Sequence, residues 1–354
     1  MMSTAETLLE VRDLKMHFTD GGGWFRKNRR TTKAVDGISF DVHAGETLGL
    51  VGESGCGKTS TGRCITRTYK PTAGHVRYRA GDGTEVDLAA LRPSQLADYR
   101  RQIRMIFQDP FSSLNPRMTA RNIIAEPLRV NKVASGTELE DRVVELLRKV
   151  GLRPEHRHRF PHAFSGGERQ RLVIARALSL DPRLVIADEA VSALDVSVRA
   201  QILELLVELQ HNQGLTYIFI SHDLSVVEYL CDRVAVMYVG RIVELGPTDE
   251  VFASPRHPYT QALLAAVPQP DPARRNILTQ PPLEGEVADA ANAPSGCHFH
   301  PRCPFAQEIC RTESPTLRTT SDGHQVACHF AEQLRLDGLS GDDAGRTADQ
   351  EVQT

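Results

Sequence analysis

The sequence predicts an α/β protein built around a largely parallel sheet. Three short apolar runs, at residues 47–51, 184–187 and 216–220, have the length and continuous hydrophobicity of strands that are buried on both faces. Segments with helical periodicity separate these runs, and strands that alternate with helices are typical of βαβ units. The first run also leads directly into a glycine-rich segment, which a helical pattern follows.

The composition is that of an ordinary globular protein and excludes several classes. Of the 354 residues, 40% are hydrophobic and 25% are charged, which excludes a fully disordered chain. The formal net charge of −3 gives no overall electrostatic footprint for nucleic acid. The sequence contains no apolar run long enough to span a bilayer and no basic N-terminal stretch followed by an apolar one. We therefore expect a cytosolic chain without a membrane span or signal peptide.

The N-terminal part predicts two strands joined by a polar loop. Residues 8–18 form the first strand, and Ile38, Phe40 and Val42 alternate with polar neighbours as in a half-buried second strand. Residues 19–33 are polar, glycine-rich and basic. Such a charge run predicts a solvated surface loop, with contact to anionic lipid or to a partner as the alternative.

The middle of the chain predicts one more strand and then a helical region. Residues 103–107 form the strand, and the pattern from 109 to 164 is helical with proline breaks. The breaks are at Pro110, Pro116, Pro127, Pro154 and Pro161. Apolar residues at helical spacing are Leu139, Val143, Leu146, Leu147 and Val150, and later Ile202, Leu205, Leu206 and Leu209.

The composition changes near residue 250, which divides the chain into three parts. Residues 1–250 form the main domain, and a proline-rich sequence with few apolar runs predicts a loop-rich extension over residues 251–330. Residues 331–354 are acidic and poor in apolar side chains, so we expect a disordered tail there.

Residues 52–59, GESGCGKT, match the phosphate-loop pattern G-x-x-x-x-G-K-[ST]. Glycines let the backbone wrap around phosphate and direct several N–H groups at it, and the following helix N-terminus adds partial positive charge. Lys58 is expected to reach the β- and γ-phosphates of a nucleotide, and the Thr59 hydroxyl to bind Mg²⁺. The apolar strand before the motif and the helical pattern after it supply the structural context that this chemistry needs.

The apolar run at 184–187 ends in two carboxylates, Asp188 and Glu189. A carboxylate at the carboxyl end of a strand can hold Mg²⁺, which we expect of Asp188. Glu189 is expected to act as the general base that polarises the attacking water. A strand that ends in Asp-Glu is common, and the phosphate loop in the same chain is what favours these roles.

A second glycine-rich turn, Ser165-Gly166-Gly167, precedes another apolar helix. Its backbone N–H groups and the helix dipole predict an anion site for the γ-phosphate of a nucleotide that another subunit holds. The alternative is an N-cap with a flexible turn and no ligand.

These motifs, in their order along the chain, resemble those of ABC transporter nucleotide-binding subunits. The matching segments are 52–59 (Walker A), Gln108 (Q-loop), 165–170 (signature), 184–189 (Walker B), 192–195 (D-loop) and His222 (H-loop). Ala190 departs from the usual proline of the family, at a position outside the phosphate shell. The resemblance implies a RecA-like P-loop ATPase core with an antiparallel β subdomain, an α-helical signature subdomain at about 109–166 and a small loop-rich C-terminal extension.

Further segments resemble the ATPase subunits of oligopeptide and dipeptide permeases, most closely the F-type subunit of an oligopeptide importer. These segments are residues 108–110, 112–116 and 257–259, together with the late cysteines. The resemblance implies a chain that hydrolyses ATP to power peptide import, with nickel or another small solute as the alternative cargo. A soluble ABC ATPase without a transport role is a further alternative, although a single Walker A motif and the lack of sustained heptads argue against it.

The resemblance also implies a role for each motif residue. Glu189 is the catalytic base, His222 holds the γ-phosphate and the water, and Gln108 senses Mg²⁺ and couples to the membrane subunits. The residues implied to contact nucleotide are Phe18, Gly52, Ser54, Gly55, Cys56, Gly57, Lys58, Thr59, Ser60, Asp188, Ser165, Gly166, Gly167 and Asp195, and the Mg²⁺ ligands are Thr59, Gln108 and Asp188. Phe18 is expected to stack on adenine, with Trp24 and Phe25 as competing candidates and core packing as the alternative for Phe18.

The resemblance implies several protein partners and no nucleic acid. A second, related ATPase subunit would complete a head-to-tail dimer, and two membrane permease subunits would receive its motion. An extracytoplasmic peptide-binding protein would join through the complex. The chain would then lie peripherally on the cytoplasmic face of the inner membrane.

Four cysteines crowd together near the C-terminus, and they are Cys297, Cys303, Cys310 and Cys328. Disulfides are rare in the cytosol, so metal ligation is the stronger interpretation. The paired C-x₂₋₄-C spacing of structural zinc sites is absent, and the longer gaps leave room for a cubic cluster held by four thiolates. The permease resemblance also points to a [4Fe–4S] cluster, with zinc and plain reduced thiols as the alternatives. We expect a structural role, because metal binding can supply folding energy to a loop-rich extension.

Overall fold

The computed structural model describes residues 6–19, 30–267, 288–320 and 323–339. Trp24 and Phe25, the competing adenine-stacking candidates, and most of the predicted basic loop lie outside these ranges. The described strands form two sheets with helices packed around them, which confirms the predicted α/β class.

Twelve strands form these sheets in the described ranges. They are β1 (Thr7–Thr19), β2 (Thr31–His43), β3 (Thr47–Val51), β4 (Ala73–Arg79), β5 (Glu85–Asp87), β6 (Ile103–Ile106), β7 (Leu184–Asp188), β8 (Thr216–Ser221), β9 (Arg233–Tyr238), β10 (Arg241–Pro247), β11 (Arg318–Thr319) and β12 (Gln325–Val326).

The smaller sheet is antiparallel and has the order β2-β1-β4-β5. Residue pairs across β1 and β2 include Leu9 with Val42 and Val11 with Phe40, and all four side chains are buried. The predicted alternation in the second strand is confirmed, because Ile38, like Phe40 and Val42, is buried while its polar neighbours face outwards. This sheet is the antiparallel β subdomain that the resemblance implied.

The larger sheet has the order β11-β12-β10-β9-β3-β8-β7-β6. Its central part is parallel from β9 through β3, β8 and β7 to β6, which confirms the largely parallel prediction. Every residue of β3, β7 and β8 is buried, as expected for continuous apolar strands that helices cover on both faces. Because these strands run parallel, their carboxyl ends meet at one edge.

The helices alternate with the strands of the larger sheet. They are α1 (Lys58–Ile65), α2 (Ala97–Gln102), α3 (Pro110–Ser113), α4 (Ala120–Val130), α5 (Gly136–Lys149), α6 (Gly166–Leu178), α7 (Val196–Gln213), α8 (Leu224–Leu230), α9 (Thr248–Ala253), α10 (Pro258–Ala265) and α11 (Glu308–Thr312). The apolar positions predicted for α5 and α7 are buried, so their helical spacing identified the faces that pack on the core.

The region 109–164 is mainly helical, and one predicted break in it is wrong. Pro154 and Pro161 each begin a short 3₁₀ turn, whereas Pro127 lies buried inside α4. The helix continues past it because the Pro127 carbonyl accepts two hydrogen bonds from Asn131, one from the backbone at 3.1 Å and one from the side chain at 2.8 Å. These bonds close the last turn, and burial of the proline ring offsets the missing N–H donor.

The C-terminal extension contributes the strands β11 and β12 to the larger sheet. β12 pairs antiparallel with β10, with Val326 opposite Glu244. The prediction that a disordered tail starts at 331 is wrong for residues 331–339, because Ala331 and Leu336 are buried and the Leu339 N–H donates to the Phe252 carbonyl at 2.8 Å. Residues 340–354 lie outside the described ranges, and within those ranges no helix has the length and hydrophobicity to cross a membrane.

Candidate functional site

The carboxyl edge of the parallel strands brings four of the predicted motif segments to one cleft of about 520 Å³. The phosphate loop follows β3, Gln108 follows β6, Glu189 follows β7 and His222 follows β8. The cleft is lined by Ala34, Ser54, Gly55, Gly57, Lys58, Thr59, Ser60, Gln108, Glu189 and His222. A cleft of this size at the edge of a parallel sheet is a usual place for a nucleotide.

Two glycines of the phosphate loop are required by its backbone. Gly52 has φ of 146°, and a Cβ there would lie 2.2 Å from the Met237 carbonyl oxygen. Gly57 has φ of 109°, and a Cβ there would lie 2.1 Å from the Ala34 carbonyl oxygen. A side chain at either position would collide with backbone, so the loop can follow this path only with glycine.

Lys58 is buried at the N-terminus of α1, where its ammonium is held close to the loop. Its Nζ donates to the carbonyl of Gly52 at 2.7 Å and to that of Glu53 at 3.0 Å. No side chain caps this end of α1, and its first turn has no acidic residue. The end of the helix therefore presents positive potential to the cleft, as a phosphate site requires.

Cys56 is a correction to the predicted nucleotide contacts, as far as its side chain is concerned. The thiol is buried beneath the loop rather than directed into the cleft, with Sγ 3.7 Å from Lys58 Nζ. Burial raises the pKa of the Cys56 thiol, although Lys58 opposes this effect. Only the backbone of this residue can contribute to phosphate binding, and the thiol is poorly suited to react with alkylating reagents.

Thr59 and Asp188 form an oxygen pair below the cleft. The Thr59 hydroxyl donates to Asp188 Oδ1 at 2.9 Å. Burial raises the pKa of the Asp188 carboxyl, and the hydrogen bond from Thr59 opposes this rise. A hydroxyl and a carboxylate beside a phosphate loop are the hard oxygen ligands that Mg²⁺ prefers, so the two residues fit the predicted ion.

The Glu189 carboxylate contacts one side chain at each of its two oxygens. The side-chain amide of Gln108 donates to Oε2, and His222 Nδ1 lies 3.2 Å from Oε1. Its backbone has φ of 48°, and its N–H donates to the Ile220 carbonyl at 2.9 Å. A non-glycine residue in this strained conformation fixes the direction of the side chain, a common feature of catalytic positions. Three residues predicted separately from sequence are thus in contact.

The signature turn lies away from the cleft of its own chain. Ser165 is the N-cap of α6, where its hydroxyl accepts the Glu168 N–H at 3.3 Å and the Glu168 carboxylate accepts the Ser165 N–H at 2.9 Å. Gly166 is exposed, while a Cβ on Gly167 would lie 2.5 Å from Val198 Cγ1. The N-cap alternative considered for this segment therefore describes its state in the single chain.

Asp195 and Phe18 are also absent from the lining of the cleft. Asp195 is the N-cap of α7, and its carboxylate accepts the Val198 N–H at 3.0 Å. Phe18 is 38% exposed and makes an edge-to-face contact with Tyr69, with ring centroids 5.5 Å apart. Phe18 therefore has a free surface near the end of β1, and its stacking on adenine stays a prediction.

No sequence motif identified some of the residues that lie at the site. Ala34 lines the cleft and its carbonyl lies against Gly57, although an alanine after a polar loop predicts nothing. Glu53 occupies a variable position of the phosphate-loop pattern, yet it is held by two residues of the distant extension, Tyr259 and Arg302. Contacts between residues so far apart in sequence cannot be read from local patterns.

The four late cysteines line one small cavity in the extension, together with Phe299, Phe305 and Phe330. Burial raises the pKa of Cys303 to about 12 and that of Cys328 to about 11, and the neighbouring cysteines add to both shifts. In the described ranges, no group of three or more His, Cys, Asp or Glu side chains is arranged so that it could hold a metal ion. The structure thus brings the four thiols together without the tight geometry of bound metal.

Comparison with known families gives two matches that follow each other along the chain. Residues 35–192 match the family described as "ABC transporter", and residues 243–310 match the one described as "Oligopeptide/dipeptide transporter, C-terminal region". The first match contains the phosphate loop and the Glu189 carboxylate. The second contains three of the four late cysteines.

Several curated proteins are similar over nearly the whole chain. The oligopeptide transport ATP-binding protein OppF of Escherichia coli is 50% identical over 94% of this chain and 98% of its own length. The oligopeptide transport ATP-binding protein AppF of Bacillus subtilis is 49% identical over 92% and 98%, respectively. The di/tripeptide transport ATP-binding protein DppF of Pseudomonas aeruginosa is 47% identical over 93% and 99%.

Solved structures with the same fold cover more than two thirds of this chain. One is cbiO1 of Clostridium perfringens, part of the ABC transporter complex cbiONQ, with a TM-score of 0.59, 27% identity and coverage of 70% of this chain and 91% of that one. Another is a dimeric ATP-binding cassette in a post-hydrolysis state bound to ADP and Pi, with a TM-score of 0.58, 25% identity and coverage of 68% and 99%. These similarities confirm the fold class predicted from sequence.

Proposed function

The chain belongs to the ATP-binding subunits of ABC transporters, in the group of the oligopeptide and dipeptide transport proteins, and we propose that it hydrolyses ATP to power the import of peptides across a membrane. The assignment of peptides as the cargo rests on the names of the relatives and on the C-terminal family match. Hydrolysis is supported by the chain's own geometry at the carboxyl edge of the sheet.

The observation that carries the proposal is the contact of Gln108 and His222 with the Glu189 carboxylate opposite the phosphate loop. A carboxylate fixed on both sides and facing a phosphate site is suited to accept a proton from water. An imidazole and an amide beside it are suited to orient that water and the γ-phosphate. These groups come from three different strands, so only the intact sheet supplies them together.

The remaining residues of the cleft bind the nucleotide. Lys58 and the uncapped end of α1 provide positive charge for the phosphates, and Thr59 with Asp188 provides oxygen ligands for Mg²⁺. When bound, Mg²⁺ neutralises charge that develops on the phosphate oxygens. The chain's own task is to hold the phosphates in line with the water in front of Glu189.

A second ATPase subunit is part of the proposal, because the signature turn does not line the cleft of its own chain. In a head-to-tail dimer, Ser165 to Gly167 of each subunit would face the nucleotide of the other. We propose a related, non-identical ATPase as this partner, two permease subunits and an extracytoplasmic peptide-binding protein. Such a complex places the chain on the cytoplasmic face of the inner membrane.

We also propose that the four late cysteines hold a [4Fe–4S] cluster with a structural role. The support is their convergence on one cavity, together with a thiol donor set suited to iron or zinc. Anaerobic purification with iron, zinc and acid-labile sulfide analysis distinguishes these metals. Equal iron and sulfide in the wild type, both lost in Cys303→Ser, is the expected result, and protein without either element under these conditions would exclude the cluster.

The test of the proposed function uses the complete transporter in proteoliposomes, with ATP inside and the binding protein outside. We expect uptake of short peptides coupled to hydrolysis, and in Glu189→Gln a fall in turnover of about 10²- to 10⁴-fold with MgATP binding retained. The exposed Glu204 on α7 gives the matched control Glu204→Gln, which should transport normally. Wild-type turnover in Glu189→Gln would refute the assigned base.

The same vesicles test the cargo. Uptake of labelled di- to pentapeptides is compared with uptake of nickel under identical ATP supply. Peptide uptake that depends on ATP supports the proposal. Nickel uptake alone, or hydrolysis that stays unchanged whether or not the permease subunits are present, would replace it with one of the alternatives considered from sequence.

A further inference from the structure

The C-terminal extension contacts the phosphate loop at Glu53. The guanidinium of Arg302 makes two hydrogen bonds to the Glu53 carboxylate, from Nη1 to Oε2 at 2.8 Å and from Nη2 to Oε1 at 3.1 Å. The hydroxyl of Tyr259 accepts the backbone N–H of Glu53 at 2.9 Å. Arg302 is 249 residues from Glu53 in sequence, so this is a contact between two separate parts of the fold.

Glu53 is also connected to the residue that binds phosphate. Its carbonyl accepts a hydrogen bond from Lys58 Nζ at 3.0 Å, next to the 2.7 Å bond from Nζ to the Gly52 carbonyl. The side chain, N–H and carbonyl of Glu53 are thus all engaged, the first two by the extension and the third by Lys58. A rotation of this peptide would move the carbonyl that orients the Lys58 ammonium.

The groups that hold Glu53 are themselves rigid. The Arg302 side chain is only 6% exposed, and a two-pronged guanidinium–carboxylate pair fixes direction as well as distance. The ring of Tyr259 is fully buried and packs against Tyr238 and Phe299, with centroid distances of 4.6 Å and 5.4 Å. Tyr259 lies in the first turn of α10, so its hydroxyl has little freedom to move.

Arg302 is placed by the cysteine-lined part of the extension. It lies in the 3₁₀ turn His300–Arg302, between Cys297 and Cys303, and Phe299 of the same segment packs on Tyr259. The backbone of this segment is further held by the hydrogen bond from the Cys297 N–H to the Cys310 carbonyl at 2.8 Å. The fold of the extension therefore determines where the guanidinium stands relative to the phosphate loop.

We propose that Arg302 and Tyr259 are positioning residues for ATP: they hold Glu53 so that the phosphate loop and Lys58 stay in the conformation that binds the nucleotide. The extension is then a determinant of nucleotide affinity as well as a family-specific appendage. This inference rests on the proposed function, since it concerns the same nucleotide cleft. Glu189, His222 and Gln108 follow other strands, and their contacts given above do not involve Glu53, Arg302 or Tyr259.

This arrangement predicts a particular kinetic signature. Loss of the Arg302–Glu53 pair loosens the loop that binds the phosphates but leaves the groups that activate water in place. We expect Arg302→Gln to weaken MgATP binding by about tenfold, within the usual range of coupling between linked sites. The KM for ATP should rise by a similar factor while kcat at saturating ATP stays near the wild-type value.

The experiment measures equilibrium binding of MgATP to the full chain and steady-state hydrolysis by the assembled transporter, for single and paired variants. Arg302→Lys keeps the charge without the planar fork and should restore only part of the affinity. Glu53→Gln and Arg302→Gln should be strongly non-additive, because each removes the same pair. Tyr259→Phe preserves the aromatic packing and removes only the hydroxyl, so it tests the second contact in a protein that keeps its core.

Arg311 provides the matched control, because it lies in the same extension and its side chain is 62% exposed, with a 3.9 Å contact to Glu308. Arg311→Gln should bind MgATP as the wild type does. Wild-type affinity in both Arg302→Gln and Tyr259→Phe would overturn the positioning role while leaving the proposed function intact. A wild-type chain that binds no MgATP would instead overturn the proposed function together with the inference.

Discussion

Two helices of this chain begin at glycine-rich turns, and their N-termini differ in a way that separates their functions. At α1 the N-cap is Gly57 in a left-handed conformation, with no side-chain cap and no acidic residue in the first turn. At α6 the N-cap is Ser165, which forms a reciprocal capping box with Glu168. The first end is left open to an anion, whereas the second is satisfied by its own side chains.

The comparison shows that two similar glycine-rich patterns can produce helix N-termini with different capping. The α1 end lies in the cleft of its own chain and carries Lys58, so its positive charge does not depend on a partner. The α6 end is exposed and already has a carboxylate against its N–H groups. A phosphate from another subunit would have to be accommodated beside Glu168, which makes the second site dependent on assembly.

The largest effect on MgATP affinity is expected when the Lys58 ammonium at the N-terminus of α1 is removed. Lys58→Ala should weaken MgATP binding to the isolated chain by roughly 10- to 150-fold, the range that follows from the loss of hydrogen bonds to a charged group. Titration calorimetry measures this loss. Lys70→Ala, which removes an exposed lysine beyond the same helix, is the control that should bind normally. Equal losses of MgATP affinity in Lys58→Ala and Lys70→Ala would contradict a role of Lys58 in binding the phosphates.

The close contact between Gly167 of α6 and Val198 of α7 gives the next largest expected effect, which is on stability. Gly167→Ala places a Cβ 2.5 Å from Val198 Cγ1, and we expect a loss of about 1–3 kcal/mol in the free energy of unfolding from overpacking. Gly166→Ala is the matched control, because its Cβ would be 3.9 Å from Leu194 Cδ2, an ordinary contact. Val198→Ala in the Gly167→Ala background should restore most of the loss in chemical denaturation. A double variant that is no more stable than Gly167→Ala would show that α6 and α7 are not in close contact at these residues.

Loss of the Ser165 cap is expected to lower the free energy of unfolding less than Gly167→Ala does. It should leave MgATP binding by a single chain unchanged. Ser165→Ala should lower the free energy of unfolding by about 1 kcal/mol and leave the MgATP affinity of the isolated chain unchanged. Ser135→Ala at the start of α5, where the serine makes no capping bond, is the control for stability. In the assembled transporter, Ser165→Ala should reduce hydrolysis, and normal turnover there would argue against a role for the signature turn in a shared site.

The two carboxylates at these sites should respond to pH in opposite directions. The backbone hydrogen bond from Ser165 lowers the pKa of Glu168, so ionised Glu168 stabilises the fold above its usual pKa of 4.5 and loses this effect as the pH falls. Burial raises the pKa of Asp188, so the ionised form costs stability at neutral pH and the cost vanishes below the usual value of 3.8.

Substitution by the neutral amide tests these signs. At pH 7, Glu168→Gln should destabilise the chain and Asp188→Asn should stabilise it in the absence of nucleotide. Both differences should shrink as urea unfolding is repeated towards pH 3. A destabilising Asp188→Asn at neutral pH would show that the hydrogen bond from Thr59 outweighs the burial of the carboxylate.

Much of the site could be predicted because its parts are local. The phosphate loop combines a buried strand, two obligatory glycines and a helix start within a few residues, and Asp188 and Glu189 follow an apolar strand. Such patterns encode burial and backbone conformation directly. The errors arose where a neighbour in space decided the outcome: Cys56 is turned under the loop, Asn131 closes the helix around Pro127, and residues 331–339 pack on the cassette.

The sequence by itself determined the strands, the helix faces and the identity of the chemical groups, since periodicity and motif spacing are properties of short segments. Only the tertiary structure decided which groups meet. The order of the parallel strands brings Gln108 and His222 to Glu189, and the pairing of β12 with β10 carries the extension back beside the phosphate loop, where Arg302 reaches Glu53. Strand order and such distant ion pairs depend on the packing of the whole chain, and no local pattern of residues encodes them.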